Sequence, residues 1–116
     1  MNKVEIRHNY LYLMYNDVTK LYKVGIADNL RERHRRLETS SGIRLLLVAY
    51  IVYDKYYGNG ELDDSTNFAD EQAIHSKFKK HRRIGEWFDF SLRDLAKLKM
   101  FVREELYEYE IEICKK

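Results

Sequence analysis

The chain has 116 residues, enough for one hydrophobic core but not for two, and its formal net charge of +2 indicates no charged partner by itself. Apolar residues make up 45% of it, which favours a folded domain, and its one cysteine excludes an intramolecular disulfide or a thiolate zinc cage. The longest apolar run, residues 45–53, is far shorter than the roughly 20 residues that cross a membrane. We therefore expect a cytoplasmic protein with no membrane partner.

Two strands open the predicted fold. Residues 9–15 and 20–25 are rich in tyrosine, leucine and valine and flank a turn-like Asn-Asp pair. Antiparallel pairing centred just after Asp17 places Tyr12 opposite Lys23, so that both side chains share one face of the sheet. A slip of one residue would undo this pairing.

A helix follows the predicted hairpin. Asn29 with Glu32 three residues later is typical of a capping box, and the helix is expected to run to about residue 40. Arg33 lies three residues after Leu30 and therefore falls on the apolar side of this helix. A charge there is typical of a site residue, although an arginine stem can also pack while its head group reaches solvent.

The middle of the chain predicts a central strand over residues 45–53, a polar loop over 54–66 and a second helix over 67–80. Glu71 and His75 are four residues apart on this helix, so they lie together on one face.

An extended segment at residues 86–90 precedes a C-terminal helix over 91–112, which a capping box of Ser91 with Asp94 begins. The predicted order is β-β-α-β-α-α, an α+β fold in which a small three-stranded antiparallel sheet is flanked by helices. We expect residues 1–116 to form a single domain.

Basic residues concentrate in the first helix and again around the end of the second helix, which predicts one basic face. Such a face would bind phosphates with salt-sensitive affinity. The predicted nucleic-acid contacts in these clusters are Arg31, Arg36, Lys77, Lys80, Arg82 and Arg83.

Two short motifs in the hairpin resemble the signatures of the GIY-YIG nuclease superfamily. The first appears as residues 10–12, Tyr-Leu-Tyr, which keeps the last tyrosine of the family motif. The second appears as residues 23–25, Lys-Val-Gly, which keeps the glycine and has Lys23 where the family has tyrosine. Family members place an arginine ten residues after that tyrosine, and Arg33 stands at this position.

Three longer stretches are similar to a phage-associated branch of that superfamily, which has Tyr-Lys-Ile-Gly, Glu-x-x-x-His and Glu-Trp-Phe. The corresponding stretches here are residues 22–25, 71–75 and 86–88. All of these motifs lie within residues 10–90, which is most of the chain.

The resemblance implies a metal-dependent endonuclease that hydrolyses DNA phosphodiester bonds and is associated with a phage or mobile element. It implies that Glu71 is the ligand of Mg²⁺ or Mn²⁺, an ion that one or two carboxylates often hold with water and phosphate. Gly25 would let the backbone approach the substrate. The implied catalytic residues are Tyr12, Lys23, Arg33 and His75.

The replacement at Lys23 leaves the general base open. An ordinary lysine is protonated at neutral pH and cannot accept a proton, although a neighbouring metal and arginine would disfavour its charged form. Alternatively Lys23 stays charged and binds phosphate, while Tyr12, His75 or a substrate oxygen takes the proton.

Two other functions compete with the nuclease. The loss of tyrosine at position 23 would leave a catalytically impaired DNA-binding module. A protein-interaction domain would use the tyrosines Tyr53, Tyr56 and Tyr57. For a nuclease of this size we expect loose cutting, nicking of structured DNA, a homodimer, or a partner that supplies target specificity, and RNA as substrate is left open.

Overall fold

A computed structural model describes residues 5–57, 66–106 and 111–113, with side chains over residues 9–53 and 68–104. The described residues form six strands and three α-helices. In chain order these are β1 (Glu5–Asn16), β2 (Leu21–Ala27), α1 (Leu30–Ser41), β3 (Leu45–Tyr57), α2 (Thr66–Lys77), β4 (Arg82–Ile84), β5 (Trp87–Phe88), α3 (Leu92–Phe101) and β6 (Ile111–Ile113).

The strands form one antiparallel sheet in the order β4-β5-β2-β1-β3-β6. The α+β class is confirmed, but the expected three strands are only the long central ones, β2, β1 and β3. The three additional strands are two or three residues long, and of these β5 falls within the predicted extended segment 86–90. Backbone pairing alone defines such short strands, because they are too short to show an alternating pattern.

The helices begin where the sequence predicts and end differently. The Asn29 side chain accepts a hydrogen bond from the Glu32 N–H at 3.0 Å and caps α1, and the predicted Ser91–Asp94 capping box begins α3. However, α3 ends at Phe101, a π-helical turn covers residues 102–106, and β6 follows. The prediction of one helix over residues 91–112 is therefore wrong.

The β1–β2 hairpin pairs two residues out of the predicted register. Tyr12 lies opposite Gly25 rather than Lys23, because the loop extends to residue 20. The Asn16 side chain accepts two backbone N–H groups within this loop, and Lys20 adopts a left-handed backbone conformation with φ of 64°. Since the shift is an even number of residues, Tyr12 and Lys23 still share a face.

The sheet separates two apolar clusters. On one face Tyr12 and Met14 pack near α1, and on the other Val24 and Phe88 pack beneath α2 and α3. Tyr53 belongs to the second cluster: it is buried, and its hydroxyl donates to Asp70 at 2.6 Å. It therefore does not contribute to the exposed aromatic surface that we considered, while the side chains of Tyr56 and Tyr57 lie outside the described residues.

None of the described helices combines the length and the apolar character that crossing a membrane requires.

Gly25 has a packing role that the sequence does not reveal. A Cβ atom at this position would lie 2.5 Å from the Tyr12 hydroxyl oxygen and 2.6 Å from the ring carbon that carries it. The absent side chain thus makes room for the Tyr12 ring, which is 1% exposed. The approach of a substrate to the Gly25 backbone stays a prediction beside this packing role.

Substituting Gly25 with alanine is expected to lower the free energy of unfolding by about 2–3 kcal/mol, because the added methyl group overlaps the Tyr12 ring. Gly42→Ala is the matched control, since its Cβ would meet nothing within 4 Å and φ is +69° there. That control should lose only about 1 kcal/mol. Urea denaturation measures both changes, and equal losses would contradict the proposed packing.

Candidate functional site

The site lies along one edge of β2, where that strand loses its neighbour. β5 is only two residues long and pairs with β2 at Tyr22 and Lys23. The backbone groups of β2 beyond this point need other partners, because unpaired polar groups are costly to bury.

Residues from three different elements bind this uncovered backbone. The N–H of Val24 donates to the Glu86 carbonyl at 3.2 Å, and its carbonyl accepts from His75 Nε2 at 2.9 Å. Further along, the Ile26 carbonyl accepts from Arg33 Nη1 at 3.2 Å. The predicted site residues His75 and Arg33 are therefore held at the same strand edge as Glu86.

Glu71, His75 and Glu86 form a compact cluster of ligating side chains. One ligand atom of each lies within 4.8 Å of the corresponding atoms of the other two. Glu71 and His75 are buried on one face of α2, as their spacing predicts, and the half-buried Glu86 comes from the turn between β4 and β5.

Glu71 carries a buried oxygen without a partner. The residue is 3% exposed, and Gln72 donates to Oε1 at 3.3 Å, but Oε2 has no hydrogen-bond partner among the described residues. Burial raises the pKa of Glu71 to about 7, and repulsion from the Glu86 carboxylate adds to the rise. The Lys23 charge and the Gln72 hydrogen bond oppose this rise only in part, so the charged form of Glu71 is incompletely compensated.

Lys23 forms an ion pair with Glu86. Its Nζ lies 2.8 Å from Glu86 Oε1, and the lysine side chain is 13% exposed. The same nitrogen lies 5.5 Å from the centre of the Trp87 ring. Lys23 is thus a held positive charge beside the carboxylates.

The contact between His75 and Val24 defines which ring nitrogen is free. A backbone carbonyl only accepts hydrogen bonds, so Nε2 carries the hydrogen and a neutral ring has its free electron pair on Nδ1. Histidines that bind metals commonly donate their other ring N–H to a carbonyl in this way.

Tyr12 and Arg33 lie next to this cluster. Burial raises the pKa of Tyr12 to about 12, the Arg33 guanidinium opposes part of that rise, and Glu86 and Glu71 add to it. The Tyr12 hydroxyl has no hydrogen-bond partner among the described residues. Tyr12 is therefore a neutral hydrogen-bond donor at physiological pH.

The cluster has the chemistry of a divalent-cation site. It offers two carboxylates and one imidazole, a donor set that suits Mn²⁺ and other divalent ions, and the unpartnered Glu71 oxygen lacks the positive charge that such an ion brings. The residues present therefore fit a divalent metal, which stays an expectation for this chain.

The predicted nucleic-acid contacts lie on separate elements of the fold. Arg31 and Arg36 are exposed on α1, where Arg36 pairs with Glu32 at 3.4 Å. Lys77 and Lys80 line a separate cleft against α3. Their contacts with nucleic acid stay predictions.

The remaining two predicted contacts, Arg82 and Arg83, lie on the exposed strand β4. Arg82 Nε donates to the Gly85 carbonyl at 2.6 Å, and Arg83 pairs with Asp89 at 2.9 Å. These local contacts hold both guanidinium groups at the edge of the sheet.

Glu86 belongs to the site, although the sequence analysis predicts it neither as a metal ligand nor as a catalytic residue. Its signal was present in the Glu-Trp-Phe stretch, but an isolated glutamate resembles a solvated charge. Only the pairing of β5 with β2 brings Glu86 beside Lys23 and Glu71.

The buried Glu71 makes stability depend on pH in the metal-free protein. The unfolded chain ionises this carboxyl near its ordinary pKa of 4.5, while the folded protein keeps the proton up to a pKa of about 7, so stability falls as the pH rises through this window. Glu71→Gln removes this loss. The free energy of unfolding of Glu71→Gln, relative to that of the native chain, should rise by about 2–3 kcal/mol between pH 4.5 and pH 7 and then stay constant.

Urea denaturation in EDTA at pH 4.5 and 8 measures this gain. The exposed Glu104→Gln serves as the control, with little change expected at either pH. A Glu71→Gln variant that is less stable than the native chain at pH 8 would contradict the burial that we describe.

A comparison with protein-family models identifies the T5orf172 domain over residues 8–104. No curated protein and no solved structure matches the chain. The resemblance to the GIY-YIG superfamily is therefore wrong as an assignment: the matching family is a different one, and no GIY-YIG model matches. Two of the residues that suggested this resemblance, Tyr12 and Gly25, pack against each other, and this contact leaves no room for a side chain at position 25.

The T5orf172 domain is a phage-associated, nuclease-like domain, which gives the chain a DNA-related role in this broad sense. Because the match covers most of the sequence and includes every residue of the site, the chain belongs to the T5orf172 domain family.

Proposed function

We propose that this chain is a divalent-metal-dependent endonuclease that hydrolyses DNA phosphodiester bonds. The observation that carries the proposal is the unpartnered, buried Oε2 of Glu71 within a cluster that His75 and Glu86 complete. Lys23 pairs with Glu86 but leaves Glu71 Oε2 without a partner, and burying such an oxygen is costly unless a ligand completes it.

Glu71, Glu86 and His75 Nδ1 would hold Mn²⁺ or Mg²⁺, and the imidazole favours Mn²⁺ over Mg²⁺, which prefers oxygen ligands. When bound, such an ion polarises phosphate oxygens and lowers the pKa of water. The chain's contribution is to fix the three ligands on α2 and the β4–β5 turn.

Arg33 is suited to bind the scissile phosphate. One of its nitrogens donates to the Ile26 carbonyl, which fixes the guanidinium against β2. The guanidinium has further N–H donors that can contact two phosphate oxygens and stabilise the charge that develops there.

Tyr12 acts as a hydrogen-bond donor rather than as a base in this proposal. With a pKa of about 12, its buried hydroxyl keeps its proton at neutral pH and can donate to a group that enters the cluster. Lys23 is ion-paired with Glu86 and is equally unsuited to accept a proton. The carboxylates of the cluster and the oxygens of the substrate are the acceptors that this arrangement offers.

One site of this kind cuts one strand at each encounter. A double-strand break would therefore need two protomers or two encounters.

Supercoiled plasmid incubated with Mn²⁺, Mg²⁺ or EDTA tests the proposal. We expect nicking with either metal and none in EDTA. Glu71→Gln and Arg33→Ala should each reduce the nicking rate by at least about a hundredfold, since the first removes a metal ligand and the second removes charge stabilisation on the phosphate.

Arg93→Ala is the matched control for Arg33→Ala, because it removes the same charge from an exposed position on α3. It should retain the native rate. Intact plasmid with the native chain under every metal condition, together with a gel shift at low salt, would instead support a binding module without catalysis.

A further inference from the structure

The Lys23 side chain is largely buried and is held in an ion pair. It is 13% exposed, and its ammonium contacts Glu86 Oε1 at 2.8 Å and faces the Trp87 ring. Lys20, in the same hairpin, pairs with Asp17 at the same distance but is 67% exposed. Water screens both members of the surface pair, whereas in the Lys23–Glu86 pair the lysine is shielded and only the glutamate, at 39% exposed, meets solvent.

The Lys23 charge acts on both carboxylates of the cluster. It contacts Glu86 directly, and its field favours the ionised form of Glu71 against the effect of burial. Among the described residues, Lys23 is therefore a cation that balances the cluster when no metal is bound.

A metal ion in the cluster would compete with Lys23 for the same carboxylate. Glu86 supplies a ligand atom to the cluster, and its Oε1 also accepts a hydrogen bond from the Lys23 ammonium. A divalent ion and an ammonium group beside one carboxylate repel each other. Binding of the ion therefore weakens the Lys23–Glu86 pair.

We propose that Lys23 is a built-in counter-ion of the metal site, which pairs with Glu86 in the metal-free protein, lowers the affinity for the metal and is released towards the substrate phosphate when the metal takes Glu86. This inference rests on the proposed metal site. It assigns to Lys23 the control of metal affinity, a role distinct from that of a general base.

Titration calorimetry with Mn²⁺ in the absence of DNA tests the proposal without relying on activity. Lys23→Met removes the charge and keeps much of the apolar stem. It should bind Mn²⁺ about three- to tenfold more tightly than the native chain, because one repelling charge is gone. Lys23→Arg, which keeps the charge, should stay close to the native affinity.

Lys20→Met is the matched control. It makes the same change in net charge at an exposed position of the same hairpin and should leave the Mn²⁺ affinity unchanged. Equal or weaker Mn²⁺ binding by a folded Lys23→Met variant would overturn the inference while leaving the metal site in place. If neither the native chain nor Lys23→Met binds Mn²⁺, the proposed function itself fails.

The native chain offers a second measurement in case Lys23→Met does not fold. Trp87 is the chain's single tryptophan, and the Lys23 ammonium lies over its ring. Release of Lys23 by diamagnetic Mg²⁺ should change the Trp87 emission along the same saturation curve as metal binding. Emission that stays constant while calorimetry shows saturation would also overturn the inference.

Discussion

The site depends on an interruption of the sheet: β5 stops after two residues and leaves the edge of β2 without a partner strand. Backbone groups at such an edge must find hydrogen bonds elsewhere. Here Glu86, His75 and Arg33 provide them at Val24 and Ile26, so the need to satisfy the backbone also gathers functional side chains. A longer β5 would cover the edge and remove the positions from which these residues meet.

The buried polar groups of the cluster lower the stability of the folded protein. Glu71 is buried with one oxygen unpartnered, and the Glu86 carboxylate raises its pKa further. Gly25 has no side chain, which lets the Tyr12 ring lie against β2, and the buried Tyr12 hydroxyl also has no hydrogen-bond partner among the described residues. Buried polar atoms without partners are uncommon in folded proteins and concentrate where a ligand completes them.

Local features could be predicted from the sequence, but the arrangement at the edge of the sheet could not. The cap at Asn29 and the i, i+4 placement of Glu71 and His75 follow from short-range rules, and the structure shows both. The hairpin register was wrong because side-chain hydrogen bonds and a left-handed residue lengthen the loop, which no hydrophobic pattern records. Glu86 reaches the cluster only through β5, a strand too short to have a periodicity. The family assignment failed because it depended on short motifs, and within this fold Tyr12 and Gly25 of those motifs pack directly against each other.

The central claim is that the uncovered edge of β2 assembles a mixed nitrogen and oxygen metal site. Pulsed electron paramagnetic resonance of Mn²⁺ bound to the native chain tests it most directly, since a coordinated imidazole couples its nitrogen to the electron spin. We predict a nitrogen coupling in the native chain that disappears in His75→Gln, together with loss of Mn²⁺ binding in Glu71→Gln. Bound Mn²⁺ with no nitrogen coupling, or with a coupling that survives in His75→Gln, would contradict this account.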